Sequence, residues 1–288
     1  MLTVVIPSFY SSKLVEERIH EINNNVPIII IENSRDQDFK KKIEKTFDNV
    51  RVIIPDKNLG FGKALNLGYK EAKTKMVFFT QPDVKLIENC IDKLIECVKE
   101  FKDFAIITPN DTNNEIFTNY EVYNKYEDTK NQNQFLLKEV DYVDITWLVN
   151  KDNFDADDIW DEKIFLYFEA KDFSKRVKDS YKKIFIAEKI NTYHIGSASH
   201  DPKFEYFNKL NRSWHYNWSK HYFNKKHHGI IFAYKKSFGQ LSRLIFKFFS
   251  AFLFLKFLKS KYVIVEMYGL LSSMLCLSSF YRPYKNIK

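Results

Sequence analysis

Cysteine is scarce in this chain. Only Cys90, Cys97 and Cys276 occur among its 288 residues, and no two of them form a Cys-x-x-Cys motif. Small secreted domains held by disulfides and structural zinc sites both need several closely spaced cysteines. The scarcity excludes both classes and predicts that the protein works in a reducing compartment.

Long apolar runs and a secretory leader are also missing. The opening MLTVVIPSF has neither the basic segment nor the apolar stretch of a signal peptide. A helix that crosses a bilayer needs about 20 predominantly apolar residues. The longest uncharged run extends from Met267 to Tyr281 and has 15 residues. We therefore expect a cytoplasmic protein, and we find no Gly/Ser-rich linker that would separate flexible domains.

Charge is present but unevenly distributed. Residues 203–288 carry 16 Lys or Arg against Glu205 and Glu266, a net charge of +14, whereas residues 1–202 carry a net charge of −6. The basic region is also rich in aromatic residues. Such a region suits a polyanion, namely a nucleic acid, an anionic membrane surface or a lipid pyrophosphate. The sequence predicts one domain over 1–202 and a helical, basic, aromatic-rich region over 203–288.

The first hundred residues alternate between apolar strands and helices. Five strands are predicted, in the segments LTVVIP, VPIIIIEN, VRVIIP, KMVFFTQ and DFAIITP. The segments between them have helical spacing of their apolar residues. This alternation predicts an α/β fold with a mostly parallel sheet and helices on both of its faces.

The rest of the first region is less regular. Residues 109–134 are polar and predicted to form a loop, in the manner of a lid. Three further segments are predicted as one or two strands, a helix and a strand, namely KEVDYVDITWLVNK, IFLYFEAKDFSKRVKDS and KKIFIAE. From about Pro202 onward the pattern is helical.

Polar groups follow each of the first four predicted strands. They are, in strand order, Pro7 and Ser8, Glu32 and Asn33, Asn58 and Gly60, and Asp83. In open parallel sheets, ligands bind beyond the carboxyl ends of the strands. The sequence therefore predicts a binding site at this edge of the sheet.

Asp83 is the charged residue that follows the fourth strand. In MVFFTQPDVK the strand must end near Pro82, because proline cannot donate to a sheet ladder. A carboxylate at that place can hold Mg²⁺ or Mn²⁺ together with phosphate oxygens. An aspartate in a turn or helix cap is an equally good interpretation of the position alone.

Other candidates have simpler alternatives. The glycines of NLGFGKALNLG do not have the spacing of a dinucleotide-binding loop and follow the third strand, so we reject that function. Lys63 could pair with a phosphate, although an exposed helical lysine is the simpler interpretation. His194 could complete a metal site, although a structural histidine is the better interpretation of this residue taken alone.

Six segments in a fixed order carry a family resemblance. They are VVIPSF, IIIIENS, NLGFGKALNLG, TQPDV, IFLYFEAKDFSKR and HIGSAS. Together, over about residues 2–230, they resemble family 2 glycosyltransferases of the GT-A fold, above all the bacterial rhamnosyltransferase-like branch. GT-A is a Rossmann-like fold with a mostly parallel sheet and helices on both faces.

The resemblance implies a role for each matched residue. The nucleotide-sugar would be bound by Pro7, Ser8, Glu32, Asn33, Asn58, Gly60, Lys63, Asn66, Gln81 and Asp83. Asp83 and His194 would hold the divalent metal, Mn²⁺ or Mg²⁺. Asp144, Trp147 and Arg176 would lie on the acceptor side.

The chain departs from the family pattern in three places. The metal-binding region reads Gln81-Pro82-Asp83, so Asp83 is its one charged ligand. A small Gly-Ala pair of the family is replaced by Ile145 and Thr146, which would reshape the acceptor side. The position of the usual catalytic base, directly after the Glu of FLYFE, is Ala170.

Ala170 cannot accept a proton, so another carboxylate must. Glu169 and Asp172 are three residues apart and share a face if this segment is a helix. We predict Glu169 as the base and Asp172 as the second candidate, although Asp172 could instead orient Arg176. Both could also be ordinary helix-start carboxylates, in a protein that binds nucleotide-sugar without catalysis.

The sequence thus predicts an inverting glycosyltransferase, peripheral on the inner face of the cytoplasmic membrane. It would move a sugar, such as rhamnose or another deoxyhexose, from a nucleotide-diphosphate sugar to a lipid-linked or polysaccharide acceptor. Residues 237–261 are predicted to be amphipathic and to lie in an anionic membrane interface. Packing of this region on the protein itself or on a partner subunit remains open.

Two other functions compete with this prediction. A basic nucleic-acid-binding protein would explain the tail, but it would not require the polar strand ends, so we expect no nucleic acid. A sugar-1-phosphate nucleotidyltransferase would carry a glycine-rich basic loop after the first strand, where this chain reads PSFYSSK.

Overall fold

The computed structural model describes residues 2–113, 118–126, 134–156, 158–196 and 204–283. The chain divides into two compact units. The first comprises Met1–Asp161 and Ala170–Asp201, and the second comprises Glu162–Glu169 and Pro202–Lys288. The predicted domain boundary at 202–203 lies outside the described residues and stays a prediction.

Strands and helices alternate through the first unit. The strands are β1 (Leu2–Ser8), β2 (Ile28–Glu32), β3 (Val50–Ile53), β4 (Met76–Phe79), β5 (Val84–Leu86), β6 (Ile106–Asp111), β7 (Tyr120–Glu121), β8 (Leu137–Glu139), β9 (Tyr142–Val143), β10 (Trp147–Asn150) and β11 (Ile184–His194). The α-helices within the described residues are α1 (Ser12–His20), α2 (Gln37–Thr46), α3 (Phe61–Glu71), α4 (Cys90–Glu100), α5 (Glu169–Asp179), α6 (Glu205–His228), α7 (Ile230–Leu253) and α8 (Phe257–Met274).

The central sheet is mixed but mostly parallel. Its order is β3-β2-β1-β4-β10-β6-β11-β5, and β8 pairs with β11. Strands β1 to β4 are parallel, and β10 lies antiparallel between β4 and β6. Because β6 and β11 are parallel, six strands share one direction and bring their carboxyl ends to one edge. The α/β class predicted from the sequence is confirmed.

Both faces of the sheet are covered over β1, β2 and β4, which explains why these three strands are buried along their whole length. Alternate residues of β1 and β2 enter two separate cores: Val4 and Ile28 pack in one, Val5 and Ile29 in the other. Helices α1, α2 and α4 contribute to the first core, and α3 and α5 to the second. A strand that is buried on both faces has no solvent-exposed face, so its side chains do not alternate between apolar and polar.

One of the glycines in NLGFGKALNLG has a packing role. Gly68 lies in α3 against β1, and a Cβ at this position would overlap Cγ1 of Val5. Glycine therefore allows the helix to approach the strand closely. This is consistent with rejecting a dinucleotide-binding loop.

Several element boundaries differ from the predictions. The helix predicted from Leu86 begins at Cys90, because Val84–Leu86 pairs with β11 as strand β5. In the predicted loop 109–134, residues up to Asp111 continue β6 and Tyr120–Glu121 forms β7. Residues 114–117 and 127–133 of that loop lie outside the described residues.

The helix predicted from Ile164 also begins later. It starts at Glu169, directly after Tyr167 and Phe168, whose φ angles are 67° and 69°. Two consecutive non-glycine residues in the left-handed region interrupt a right-handed helix. The segment that resembles the family's catalytic region is therefore a turn that leads into α5.

The second unit contains three long helices. Leu244, Val263, Leu270 and Met274 form its own small core between α7 and α8. The predicted helix over 237–261 is interrupted, because α7 ends at Leu253 and α8 begins at Phe257. Within the described ranges, no helix has both the length and the apolar character needed to cross a bilayer.

His215 is a buried histidine of the second unit. Its Nε2 lies 2.9 Å from the carbonyl oxygen of Tyr281, and its ring centroid lies 4.6 Å from that of Phe165. Burial lowers the pKa of His215 to about 3. The native state therefore holds this imidazole neutral at pH values where the unfolded chain protonates it.

We expect this histidine to weaken the protein in mild acid. Between pH 6.5 and about 3 the unfolded state binds one more proton than the native state at His215, so the free energy of unfolding falls as pH falls. The loss attributable to this group at pH 5 is about 2 kcal/mol. Denaturant unfolding at pH 7.5 and pH 5 should show that loss in the wild type and in His228→Gln, an exposed control. A His215→Gln variant with the same pH dependence as the wild type would contradict the expectation.

Candidate functional site

The carboxyl ends of β1, β2 and β3 meet in a network of hydrogen bonds. The Asn33 amide donates to Ser8 O at 2.8 Å, and Asn33 Oδ1 accepts from the Leu59 amide at 3.1 Å. Asn58 Oδ1 accepts from the amide of Gly60 at 2.8 Å. Gly60 has a φ of 81° at the start of α3, which favours glycine. The structure therefore brings together four residues whose positions predicted it, namely Ser8, Asn33, Asn58 and Gly60. Pro7 is buried near the end of β1 beside Ile31.

Glu32 is the buried carboxylate of this edge. Its Oε1 accepts from the Ser34 amide at 2.6 Å and from the Ser34 hydroxyl. Its Oε2 is buried and has no hydrogen-bond partner in the described part of the chain. An unpartnered buried carboxylate oxygen is costly, so Glu32 is suited to accept a hydrogen bond from a ligand hydroxyl or base N–H.

Asp83 lies next to His194. The carboxylate is 3% exposed, and its Oδ2 lies 3.5 Å from Nε2 of His194. Its Oδ1 is buried and makes no hydrogen bond within the described residues. The Ile195 amide donates to Asp83 O at 2.9 Å, which ties the end of β11 to the aspartate.

The turn before Asp83 is supported from α1. Arg18 is buried, pairs with Glu21 at 2.9 Å and lies 3.5 Å from Pro82 O. The pairing of Val84 with His194 in the β5–β11 ladder then sets the two candidate metal ligands side by side. A residue of the first helix thus positions a group that follows the fourth strand.

His194 sits among three carboxylates. Its amide donates to Asp111 Oδ1 at 2.9 Å, and Nδ2 of Asn113 donates to its carbonyl oxygen at 2.6 Å. Burial disfavours the imidazolium, but Asp83, Asp111 and Asp144 outweigh burial and raise the pKa of His194. Burial also raises the pKa of Asp144, even though the Tyr142 hydroxyl donates to its carboxylate at 2.6 Å.

The donor set around Asp83 fits a divalent cation that also binds phosphate. Asp83 Oδ1 has no hydrogen-bond partner within the described residues, the imidazole of His194 lies beside this carboxylate, and Mn²⁺ accepts both ligand types. Among the described residues, no group of three or more His, Cys, Asp or Glu side chains is arranged to hold a metal ion. Diphosphate oxygens and water would supply the remaining ligands.

Gln81 links this cluster to a strained residue. Its Nε2 donates to Ile145 O at 3.1 Å, and Ile145 has a φ of 71°. A β-branched residue in the left-handed region is an outlier, and such strain is concentrated at functional sites. Ile145 stands where the resembled family has a small residue, so the departure noted in the sequence coincides with strained backbone.

Three predicted site residues have structural partners. Asn66 uses both ends of its amide on the backbone of Trp160, at 2.9 Å each. Trp147 is buried in the core, with its ring centroid 4.9 Å from that of Trp160. Lys63 lies on the first turn of α3 and is partly buried. Their ligand-binding roles stay predictions, and the burial of Trp147 does not favour an acceptor contact.

Asp172 and Arg176 form the ion pair that was one of the two interpretations of Asp172. Arg176 Nε lies 2.8 Å from Asp172 Oδ2, and the carboxylate is fully buried. Arg176 also donates to Ile159 O at 2.6 Å. These contacts favour a structural role for Asp172 and leave Glu169 as the better candidate base.

Glu169 is the first residue of α5 and is largely buried. It belongs to the second unit together with Tyr167 and Arg212. The charges of Glu169 and Arg212 both act on the pKa of Tyr167. Burial raises the pKa of Tyr167, the Arg212 guanidinium opposes that rise, and Glu169 adds to it. A carboxylate and a guanidinium therefore share the surroundings of Tyr167.

Sequence reasoning missed Asp111, Asn113, Arg18 and Arg212. Asp111 follows a buried strand in TPNDTNN, so the rule that found Asp83 could have found it. Arg18 gave no signal, because an arginine in an amphipathic helix is normally exposed.

Comparison with known proteins identifies the family of this chain. Residues 3–157 match the family model described as glycosyl transferase family 2, which is more than half of the chain. The chain belongs to glycosyltransferase family 2. This confirms the predicted family, while the rhamnosyltransferase-like branch stays a prediction.

One curated protein is similar to this chain over part of its length. The chain is 30% identical over 112 residues to the dolichol-phosphate mannosyltransferase of Pyrococcus furiosus. The match covers 36% of this chain and 32% of that protein, so the chain spans about a third of the length of this relative.

Two solved structures share the fold. The mannosyltransferase PcManGT from Pyrobaculum calidifontis, in complex with GDP-Man and Mn²⁺, aligns with a TM-score of 0.56 at 8% identity and covers 95% of this chain and 86% of that one. GalNAc-T7 with UDP, GalNAc and Mn²⁺ aligns with a TM-score of 0.55 at 10% identity, over 67% and 43%. At these identities the likeness shows the fold alone, and it confirms the GT-A prediction.

Proposed function

We propose that this family 2 protein is a metal-dependent, inverting glycosyltransferase that uses a nucleotide-diphosphate sugar. The observation that carries the proposal is the buried carboxylate of Asp83 beside His194, with Asp83 Oδ1 finding no hydrogen-bond partner in the part of the chain that the structure describes. A carboxylate in this state needs a cation or a donor. It lies at the sheet edge where ligands of such folds bind.

The donor would lie across the strand ends. Glu32 would accept hydrogen bonds from the nucleoside, and the backbone around Asn58 and Gly60 allows close approach at the start of α3. Asp83 and His194 would hold the divalent cation, which stabilises negative charge on the leaving diphosphate when it is bound. The Mn²⁺ present with both solved relatives of this fold supports that assignment.

The chemical step would be a single displacement. An acceptor hydroxyl attacks the anomeric carbon, the bond to the diphosphate breaks on the opposite face, and the configuration inverts. Glu169 would take the hydroxyl proton as the new bond forms, which contributes ~10²–10⁴ in rate. Asp172 is held by Arg176 and would keep α5 in place rather than move a proton.

The partners follow from charge and resemblance. The transferred sugar would be a hexose, and the resemblance favours rhamnose or another deoxyhexose. The acceptor would be a lipid-linked sugar or a surface polysaccharide in envelope assembly. The basic region over 203–288 would hold the enzyme on the anionic inner face of the cytoplasmic membrane.

A thermal-shift panel tests the donor site. We expect one nucleoside diphosphate to raise the unfolding temperature in the presence of Mn²⁺ and not in its absence. Ligand at a hundredfold excess over its Kd stabilises by about 2.7 kcal/mol. The matching nucleotide-sugar would then be supplied with candidate acceptors, and anomeric configuration would be read by NMR.

Two results would overturn the proposal. One is the absence of any shift with all nucleoside diphosphates, together with salt-sensitive binding of DNA or RNA. The other is a product that retains the anomeric configuration of the donor, which would exclude a single displacement.

A further inference from the structure

The turn between α7 and α8 is an unbroken run of exposed residues, most of which have large apolar side chains. Residues 252–259, FLFLKFLK, are all exposed, and six of these eight are Phe or Leu. We call them the α7–α8 turn. Phe254 is 68% exposed and Leu255 is 72% exposed. Scattered apolar residues are normal on a protein surface, whereas a continuous patch marks an interaction site.

Most of these side chains lie outside the core that joins the two helices, although the rings of Phe252 and Phe257 approach each other across the turn, with 6.2 Å between their centroids. The contact between α7 and α8 is made by inward-facing residues, among them Leu244, Val263 and Leu270. Ala251 and Ser260, which flank the α7–α8 turn, are buried. The exposed face is therefore available to another partner without any change in the helices.

The backbone of the turn is largely satisfied. The Phe254 amide donates to Ser250 O at 3.1 Å, the Leu255 amide to Phe252 O at 3.0 Å, and the Lys256 amide to Ala251 O at 2.8 Å. Entry into an apolar medium is costly for unpaired amides. A closed turn can enter such a medium at lower cost than an open loop.

Positive charge flanks the apolar residues. Lys256 and Lys259 lie within the turn, and Lys261 follows it. The one carboxylate in the helices on either side, Glu266, pairs with Lys247 at 3.0 Å. Phe and Leu side chains beside lysines are typical of elements that lie in a lipid headgroup region, where the lysine stems extend to the surface.

We propose that the α7–α8 turn inserts into an anionic lipid leaflet, with Phe and Leu among the acyl chains and the lysines at the headgroups. The proposal rests on the proposed function in one respect, since that function places the acceptor at a membrane. It adds the eight residues that make contact and the depth at which their apolar and charged side chains would lie in the leaflet.

A second copy of this chain is the less favourable occupant. Two turns brought face to face would set Lys256, Lys259 and Lys261 against the same residues of the partner, and like charges repel. Nucleic acid offers phosphates to the lysines but no apolar medium to six Phe and Leu side chains. A lipid leaflet with anionic headgroups satisfies both groups.

Vesicle sedimentation with the full chain tests the proposal without donor or acceptor. The vesicles are phosphatidylcholine alone, or phosphatidylcholine with a third of phosphatidylglycerol. We expect the wild type to bind the anionic vesicles with at least tenfold higher affinity than the vesicles of phosphatidylcholine alone. Phe254→Glu/Leu255→Glu should lower the affinity for the anionic vesicles at least tenfold. Lys256→Gln/Lys259→Gln should reduce the preference for anionic lipid and its dependence on salt.

Ile230→Glu/Ile231→Glu is the matched control. It makes the same change in charge at two exposed positions at the start of α7, where Ile231 is 84% exposed. These positions lie about 33 Å along α7 from the turn, several Debye lengths away. We expect its vesicle binding to remain within about twofold of the wild type, and all variants to unfold at the wild-type temperature.

Three outcomes would overturn the proposal. If Ile230→Glu/Ile231→Glu lost as much vesicle binding as Phe254→Glu/Leu255→Glu, the α7–α8 turn would not be the segment that contacts the lipid. Wild-type binding that ignores lipid charge would exclude the role of the lysines. A lipid-free dimer that Phe254→Glu/Leu255→Glu converts to a monomer would show that a second copy covers the turn. Nucleotide-dependent thermal shifts on the same protein report on the proposed function separately.

Discussion

Replacing Glu169 with Gln is expected to lower the turnover of glycosyl transfer by ~10²–10⁴-fold, because the amide keeps the size of the side chain but cannot accept a proton. Nucleotide binding should be unchanged, since the proton transfer takes place only in the chemical step. The measurement is kcat and KM with the matched donor, beside the Mn²⁺-dependent thermal shift. A fall in kcat with an intact shift identifies the base.

Asp172→Asn is the comparison that separates the two candidate carboxylates. Asp172 is fully buried and paired with Arg176 at 2.8 Å, so its loss should lower the free energy of unfolding by leaving the arginine without its partner. The assignment of the base would be wrong if Asp172→Asn lost turnover at an unchanged unfolding temperature while Glu169→Gln stayed active.

Asp83→Asn is expected to abolish the metal dependence of nucleotide binding. Even hydrogen-bond partners behind a metal ligand contribute ~10–100-fold to metal affinity, so removal of the charged ligand itself should reduce Mn²⁺ affinity by more than ~100-fold. Isothermal titration of Mn²⁺ in the presence of the nucleoside diphosphate measures this directly, and turnover should fall with it.

Asp152→Asn controls for the loss of one negative charge. Asp152 is exposed and pairs with Lys75 at 3.0 Å, and exposed pairs contribute little to stability. Its nucleotide and Mn²⁺ affinities should match those of the wild type. If Asp83→Asn retained the Mn²⁺-dependent thermal shift with the nucleoside diphosphate, the assignment of Asp83 as the metal ligand would be wrong.

The sequence was most informative where strands are buried on both faces. Strands β1 to β4 stand out by composition alone, because both of their faces meet covering helices. Strands β5, β8 and β9 have two or three residues each, too few for a period to be seen. The antiparallel position of β10 depends on pairing between Met76–Phe79 and Trp147–Asn150, for which the local sequence has no signal.

The candidate site divides in the same way. Asp83 and Glu32 could be found because each follows a strand, and strand ends converge by rule. Partners distant in the chain could not be found: Asn66 bonds to Trp160, 94 residues away. Trp147 shows a further limit, since a tryptophan in a strand has the same local pattern whether it faces a core or a ligand.

The antiparallel strand in the middle of the sheet has a consequence for the order in which the protein forms during synthesis. Strands β1 to β4 neighbour one another, so this half can pair once about the first 80 residues have left the ribosome. Strand β6 pairs with β10 and β11 and must wait for residues that follow it by about 40 to 80 positions. We expect nascent chains that end before residue 150 to expose the edges of β4 and β6 to chaperones, because the strand that joins them is made last of the three.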